Sequence, residues 1–251
     1  MIDRRSALKC LAGAAVFAGQ PVLAGEARID RLIVPAKAQG DISRRIAFIS
    51  HALLGARYRG YTLVGGPHSA EKFVVLDDAF DCVTFCETVL AAAIAGEPGA
   101  FDATLKTIRY HDGIVNWYER NHYFFEWSEH NIENQVCRAI DMDGAVQIEK
   151  TVYWHKALGH RHFDMKVIPC AVFMDNRQLL KDGDIVGFVT QRPNLDYFHI
   201  GFVMFDNDGY LLLRHAARSR GHVIDERMNR FVDVNGVRYV TLLRPQERTL
   251  V

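Results

Sequence analysis

The order of apolar patterns along the chain constrains its fold more than any other feature of the sequence. In the first half, apolar residues recur at helical spacing, as at Ile42, Ile46 and Ile49. From Asp182 onward they follow strand patterns interrupted by turn residues. Helical patterns followed by strand patterns predict an α+β fold, with N-terminal helices packed on an antiparallel sheet.

The individual elements follow from periodicity, caps and turn residues. Helices are predicted from Asp41 to Gly55, from Asp81 to Gly96 and over residues 101–108. Residues 73–76 are predicted to form a short strand or an extended segment, and strands are predicted at residues 184–190, 197–205, 210–216 and 237–243. The aromatic-rich residues 110–135 have little periodicity, and residues 141–180 give no clear pattern.

Residues 1–27 have the features of an export signal. Arg4-Arg5 precedes a short apolar run from Leu11 to Phe17, and Val22 to Ala24 supplies small residues at a cleavage-site spacing. The arginine pair resembles a twin-arginine signal. A run this short cannot span a bilayer unaided, so cleavage is favoured over a membrane anchor or a cytosolic helix. The prediction is a periplasmic protein without stable membrane insertion, in which residues 28–251 form a single domain.

Charge and cysteine content exclude some partners and frameworks. The chain has 30 Lys+Arg and 30 Asp+Glu, for a formal net charge of zero, which removes the electrostatic argument for nucleic acid as a partner. Its 5 cysteines are too few for a disulfide scaffold. Whether Cys137 and Cys170 pair stays open.

One cysteine lies where a nucleophile would. Asp81 is a helix N-cap candidate, and Cys82 therefore lies in the first turn, where unpaired N–H groups and the helix dipole favour the thiolate. A thiolate nucleophile needs a base within hydrogen-bond reach. His199, within an apolar strand, is the best candidate. The alternative is a core histidine bound to a backbone carbonyl.

A β-hairpin decides whether His199 has a partner. If Asp206–Asp208 form a three-residue loop closed by Gly209 in a left-handed conformation, His199 lies directly opposite His215 on one face of the sheet. A two-residue turn would instead put the two histidines on opposite faces. Gly209 favours the first register.

A metal site is the competing chemistry. His160, His162 and Asp164 mimic the H-x-H-x-D run of zinc β-lactamase-like hydrolases, and His155 lies nearby. Met165 stands where a further histidine would be expected, and no βαβ pattern surrounds the run. A solvated loop is therefore favoured, and neither a metal nor another cofactor is expected.

Several stretches together resemble a known family. They are Leu53–Leu63, Phe80–Leu90, Ile108–Tyr110 with His122–Phe124 and Trp127, Asp182–Val186, Asp196–Gly201, and His215-Ala216. They are similar to the NlpC-type cell-wall cysteine peptidases of the papain-like superfamily. More closely, they resemble the family described as N-acetylmuramoyl-L-alanine amidase-like.

This resemblance implies a papain-like NlpC-type fold and a catalytic site. Cys82 would be the nucleophile, His199 the base and His215 the residue that orients it. Tyr58 would help the Cys82 N–H to hold the oxyanion. Two departures from the family pattern are Ala217, where serine is usual, and Cys86, where valine or isoleucine is usual.

The implied reaction is hydrolysis of a peptidoglycan amide bond without a cofactor, on peptidoglycan or a muropeptide. The first candidate is the bond between N-acetylmuramic acid and L-alanine. The alternatives are the bond after D-glutamate in the stem peptide, and a non-catalytic protein that binds muropeptides.

The interval between Cys82 and His199 is longer than an NlpC-type core requires, so residues 100–180 are predicted to contain an insertion. Within it, Arg120 and His122 either reach a substrate carboxylate or sugar, or are ordinary structural residues. Asp196 is either a contact for a substrate amine or a turn residue at the start of a strand.

Overall fold

The computed structural model describes residues 28–247, so the predicted export signal lies outside the described residues. Its helices are α1 (Asp30–Lys37), α2 (Ile42–Ala52), α3 (Cys82–Ala95), α4 (Phe101–Arg109), α5 (Phe124–Glu133), α6 (Cys170–Asp175) and α7 (Met228–Asn235). Within these residues no helix is long and apolar enough to cross a membrane.

The strands are β1 (Arg57–Tyr58), β2 (Val64–Gly66), β3 (Ser69–Lys72), β4 (Ala79–Phe80), β5 (Cys137–Ala139), β6 (Val146–Val152), β7 (Arg161–Pro169), β8 (Ile185–Val189), β9 (Tyr197–Phe205), β10 (Leu211–Ala217), β11 (His222–Arg227) and β12 (Tyr239–Pro245). A 10-stranded sheet has the order β4-β1-β11-β10-β9-β8-β12-β7-β6, and β5 pairs with β12. Only β1 and β4 pair in parallel within it. The predicted α+β class is confirmed.

Two apolar cores lie on opposite faces of this sheet. On one face Phe85 of α3 meets Phe202 of β9, with ring centroids 5.8 Å apart. On the other, Phe231 of α7 meets Phe188 of β8 at 4.6 Å. Because side chains alternate along β9, His199 lies on the α7 face while its neighbour Ile200 packs towards α3.

Helix α3 is the central helix, and local sequence defines both of its ends. The Asp81 carboxylate accepts the Thr84 N–H at 2.8 Å, and the Thr84 hydroxyl accepts the Asp81 N–H at 3.0 Å. This reciprocal capping box satisfies two backbone donors that the helix leaves free. The helix ends at Gly96, whose φ of 67° is left-handed. Both predicted boundaries are confirmed.

Other predicted elements were wrong or missing. Residues 73–76 form no strand, which leaves the extended segment of the two alternatives, and the separate β2–β3 hairpin precedes them. Strand β11 and helix α7 were not predicted, because their short apolar pattern is confined to one face. Residues 141–180, which gave no clear pattern, supply β6 and β7 to the main sheet.

The H-x-H-x-D run lies at the start of β7, where His162 Nδ1 is 2.8 Å from the Thr151 hydroxyl of β6. Among residues 28–247, no group of three or more His, Cys, Asp or Glu side chains is arranged to hold a metal ion. The run therefore gives the zinc alternative no geometric support.

Candidate active site

The β9–β10 hairpin has a different register from the predicted one. Phe205 pairs with Leu211, and Asp206 donates its N–H to the Tyr210 carbonyl at 3.1 Å. The prediction of direct opposition between the two histidines was wrong, because Gly209, with φ of 77°, is the last residue of the loop and not the residue that closes it.

The ladder ends at the pair Phe202–Arg214, and its register continued by one residue sets Gly201 across from His215. This glycine makes room for a contact between the histidines. A Cβ at Gly201 would lie 2.7 Å from Leu213 Cδ1 and 3.0 Å from His215 Cβ. In that space His199 Nε2 approaches His215 Nδ1 to 2.6 Å, with the two rings nearly perpendicular at 86°. The expected histidine pair therefore forms diagonally across the glycine.

His215 has an acidic neighbour that the sequence did not reveal. Its Nε2 is 3.6 Å from a carboxylate oxygen of Glu226 on β11. His215 is only 3% exposed, and within the described part of the chain its Nε2 has no hydrogen-bond partner, so Glu226 acts on it through charge alone. Glu226 could have been found from the sequence only by predicting β11 and the face of the sheet to which each of its side chains points.

Cys82 reaches the sheet at a gap between two strands. The β9–β10 ladder ends at the pair Phe202–Arg214, so the strands separate before His199. The thiol, partly exposed at the first residue of α3, lies against the Ile200 backbone N–H. The nucleophile candidate thus meets β9 one residue from His199.

Burial sets the protonation of the three groups. It raises the pKa of Cys82 to about 12, and the Asp81 carboxylate raises it further, against the effect of the N–H groups of Ile200, Val83 and Cys82. Burial lowers the pKa of His199 to about 3 and that of His215 to about 4. The expected resting thiolate is therefore not supported, because desolvation exceeds the effect of the helix N-terminus. Thiol and imidazoles are neutral at pH 7.

We expect alkylation of Cys82 by iodoacetamide to accelerate about tenfold per pH unit between pH 7 and pH 10. Only the thiolate reacts, and its fraction rises with pH until the pKa is reached. Peptide mass spectrometry after timed quenching measures the rate, with the half-buried Cys170 in the same digest as the internal comparison. A rate that levels off below pH 8 would show a resting thiolate–imidazolium pair and contradict the neutral one.

Tyr58 lies close enough to Cys82 for the charge of one to act on the other, in line with the position that the resemblance implied. Burial raises the pKa of Tyr58, the charges of Cys82 and Asp81 raise it further, and Arg218 lowers it. The phenol therefore keeps its proton and can donate a hydrogen bond next to the thiol. Asp81 contributes through its cap of α3, which fixes the direction of the first N–H groups.

Arg120 and His122 lie in a different cluster. Arg120 forms an ion pair with Glu71 at 3.0 Å. His122 Nε2 lies 2.7 Å from the Trp117 carbonyl, and its ring packs against Trp117 and Trp154. Burial lowers the pKa of His122 to about 4, so it is neutral at pH 7. Both side chains hold the aromatic segment together, and neither lines the cleft that contains the histidine pair.

Asp196 has a structural partner as well. Its carboxylate accepts the Phe125 N–H at 2.7 Å and so caps the start of α5. Asp196 itself is the residue just before β9. The residue is 1% exposed. Of the two interpretations of Asp196, this position fits the structural one.

The histidine pair opens onto a cleft of about 720 Å³. His199 and His215 form part of its wall, and α7 contributes Phe231 and Arg230. The turn between β10 and β11 adds Arg218 and Arg220. This part of the fold therefore has a thiol at a helix start, a pair of neutral imidazoles and a cleft with room for a ligand.

Comparison with known proteins gives one family match and several structural neighbours. Residues 48–237 match the family described as N-acetylmuramoyl-L-alanine amidase-like. A crystal structure of an N-acetylmuramoyl-L-alanine amidase from Bacteroides uniformis is similar at 22% identity and a TM-score of 0.72, covering 82% of this chain and 100% of that one. The search of curated proteins found no significant match to this chain.

Two further structures share the fold. A protein from Legionella pneumophila is 21% identical with a TM-score of 0.75, covering 88% of this chain and 95% of that one. A structure named a putative xylanase, from Bacteroides fragilis, is 21% identical with a TM-score of 0.67, covering 78% and 99%. At these identities the likeness concerns the fold alone.

Proposed function

Since the chain belongs to the N-acetylmuramoyl-L-alanine amidase-like family, we propose that it hydrolyses a peptidoglycan amide bond with Cys82 as nucleophile. The bond between N-acetylmuramic acid and L-alanine is the first candidate. The observation that carries the proposal is that the Cys82 thiol, at the start of α3, lies against the backbone N–H of Ile200, the residue next to His199 of the His199–His215 pair. This placement also supports membership of the NlpC-type, papain-like superfamily.

The proton positions follow from the order of the polar groups. The charge of the nearby Glu226 carboxylate favours the tautomer with the His215 proton on Nε2, which leaves His215 Nδ1 free to accept the N–H of His199 Nε2. His199 Nδ1 is then the unprotonated nitrogen, as a base toward Cys82 requires. Glu226 thereby takes the supporting role that the serine usual at position 217 would have had.

The reaction begins with a neutral pair. The Cys82 sulfur attacks the amide carbonyl while its proton passes to His199 Nδ1, and a C–S bond forms as the carbonyl oxygen becomes an oxyanion. The Cys82 N–H and the Tyr58 hydroxyl stabilise that charge. His199 then gives the proton to the leaving amine as the C–N bond breaks. Water, deprotonated by His199, hydrolyses the thioester and restores the thiol.

The test is digestion of a purified disaccharide–tetrapeptide muropeptide, with the products weighed by mass spectrometry. Cleavage at L-alanine releases a free disaccharide and the whole stem peptide. A disaccharide still carrying two amino acids would instead identify the bond after D-glutamate, and an intact muropeptide would favour a binding protein. We expect iodoacetamide to abolish activity and a chelator to leave it unchanged; the reverse result would support the zinc alternative.

We expect Glu226→Gln to lower kcat about tenfold with little change in KM, because the carboxylate stabilises the positive charge that the histidine pair gains during attack. Steady-state kinetics on the same muropeptide measures the two constants. Glu149→Gln, on the exposed side of β6, is the matched control. A change in KM alone would assign Glu226 to substrate binding.

We also propose that the protein works in the periplasm. This location rests on the signal-like sequence of residues 1–27 and on the peptidoglycan substrate. Detection of a mature form shortened by the signal in a periplasmic fraction is the expected result, and a full-length cytoplasmic form would contradict it.

A further inference from the structure

The cleft beside the histidines is part of a longer groove lined by arginines. Arg218, Arg220 and Arg230 line the cleft itself. A second hollow of about 380 Å³ adjoins it through Phe198 and Asn235. The walls of the second hollow include two more arginines, Arg192 and Arg238.

The positive charge of this groove is local. The only carboxylate in its described walls is Glu226, which faces His215 and lies 3.9 Å from Arg230. Among residues 28–247, the ion pairs engage neither Arg218 nor Arg220. The whole chain has a formal net charge of zero, so the surplus of guanidinium groups is a property of the groove and not of the composition.

The groove also leads to the nucleophile. Arg218 acts on the pKa of Tyr58, which lies beside Cys82. His199 and His215 line the same cleft as Arg218 and Arg220, and the backbone N–H of Ile200, next to His199, lies against the Cys82 thiol. A ligand held along the groove therefore extends towards the reacting atoms.

We propose that this groove binds the carboxylates of a murein stem peptide, with Arg218 and Arg220 engaging those near the scissile bond and Arg192 and Arg238 those further along. This inference rests on the proposed function. Guanidinium groups pair with carboxylates through two parallel N–H···O bonds, and a stem peptide carries several carboxylates along one extended chain. A neutral glycan has no carboxylate with which these guanidinium groups could pair.

Binding to a catalytically inert protein tests the proposal. In a Cys82→Ala background, calorimetric titration compares a disaccharide–tetrapeptide muropeptide with the same compound whose peptide carboxylates are converted to amides. Arg218→Ala combined with Arg220→Ala is expected to raise the Kd of the acidic muropeptide about tenfold and to leave that of the amidated one unchanged. Arg177→Ala, at an exposed arginine outside the groove, is the matched control.

The outcomes separate this proposal from the proposed function. Equal weakening for both ligands, or none for either, would overturn the carboxylate groove even if the wild-type protein cleaves the muropeptide. If the wild-type protein cleaves neither compound while the arginine variants selectively weaken binding of the acidic one, the amidase proposal fails and the groove stands.

Discussion

Replacement of Cys82 by alanine is expected to reduce kcat/KM for muropeptide hydrolysis by at least about 10⁴-fold. In the proposed reaction the side chain removed is the one that forms the covalent intermediate. Among the other described thiols, Cys86 and Cys137 are buried and Cys170 lies on α6. Initial rates are measured by chromatography, with enough enzyme and time to detect the residual rate of the variant. They give the ratio of the wild-type kcat/KM to that of the variant.

His199→Ala is expected to cause a loss of similar size, since a neutral thiol is a poor nucleophile without its base. The two groups act as a unit, so the double variant should be hardly slower than either single one. Cys170→Ala, at a partly exposed thiol on α6, is the matched control and should keep full activity. If the Cys82→Ala protein retained a tenth of the wild-type rate, Cys82 would not be the nucleophile.

The largest expected effect on stability is at a buried ion pair below the nucleophile. Glu87 of α3 binds Arg109 of α4 at 2.7 Å, and their side chains are 3% and 2% exposed. Arg109 also donates to the Val74 carbonyl at 2.7 Å. The pair thereby ties the helix that carries Cys82 to α4 and to the segment before β4.

Arg109→Met is expected to lower the free energy of unfolding by about 3–5 kcal/mol, because it leaves the Glu87 carboxylate buried without its partner. Combining it with Glu87→Leu should recover most of that loss, since two apolar side chains need no desolvation of charge. Urea unfolding monitored by circular dichroism measures the midpoint at constant slope. A double variant as unstable as the single one would show that the loss comes from packing.

The free energy of unfolding of Arg109→Met is expected to depend on pH in a defined direction. Burial raises the pKa of Glu87, and Arg109 acts against that rise. Without Arg109 the folded-state pKa lies higher still, so the folded protein binds a proton that the unfolded chain releases. Stability of Arg109→Met should therefore increase as the pH is lowered from 8 towards 5, relative to that of the wild-type protein.

Local sequence was sufficient for the parts of the fold that depend on neighbours along the chain. The Asp81–Thr84 capping box and Gly96 define both ends of α3 through contacts within a few residues. They therefore place Cys82 at a helix start before any tertiary contact is known. The apolar run of β9 likewise identified an inner strand, and the order of helices and strands predicted the α+β class.

The diagonal approach of the two histidines was decided by tertiary structure. The position of Gly209 within its loop set the register, and the missing side chain of Gly201 left space between the rings. When a turn begins one residue later, every residue of one strand faces a different partner on the other strand of the hairpin. Sequence propensities do not determine the start of a turn to within one residue.

The surroundings of the candidate site were likewise determined by tertiary packing. Glu226 comes from an unpredicted strand, and Asp196 proved to cap a helix distant in sequence. Burial reversed the expected protonation of Cys82, because desolvation depends on atoms from the whole fold. Sequence alone thus determined where the candidate nucleophile and the candidate base occur along the chain. The three-dimensional fold decided what surrounds them, since contacts between distant residues have no local signal.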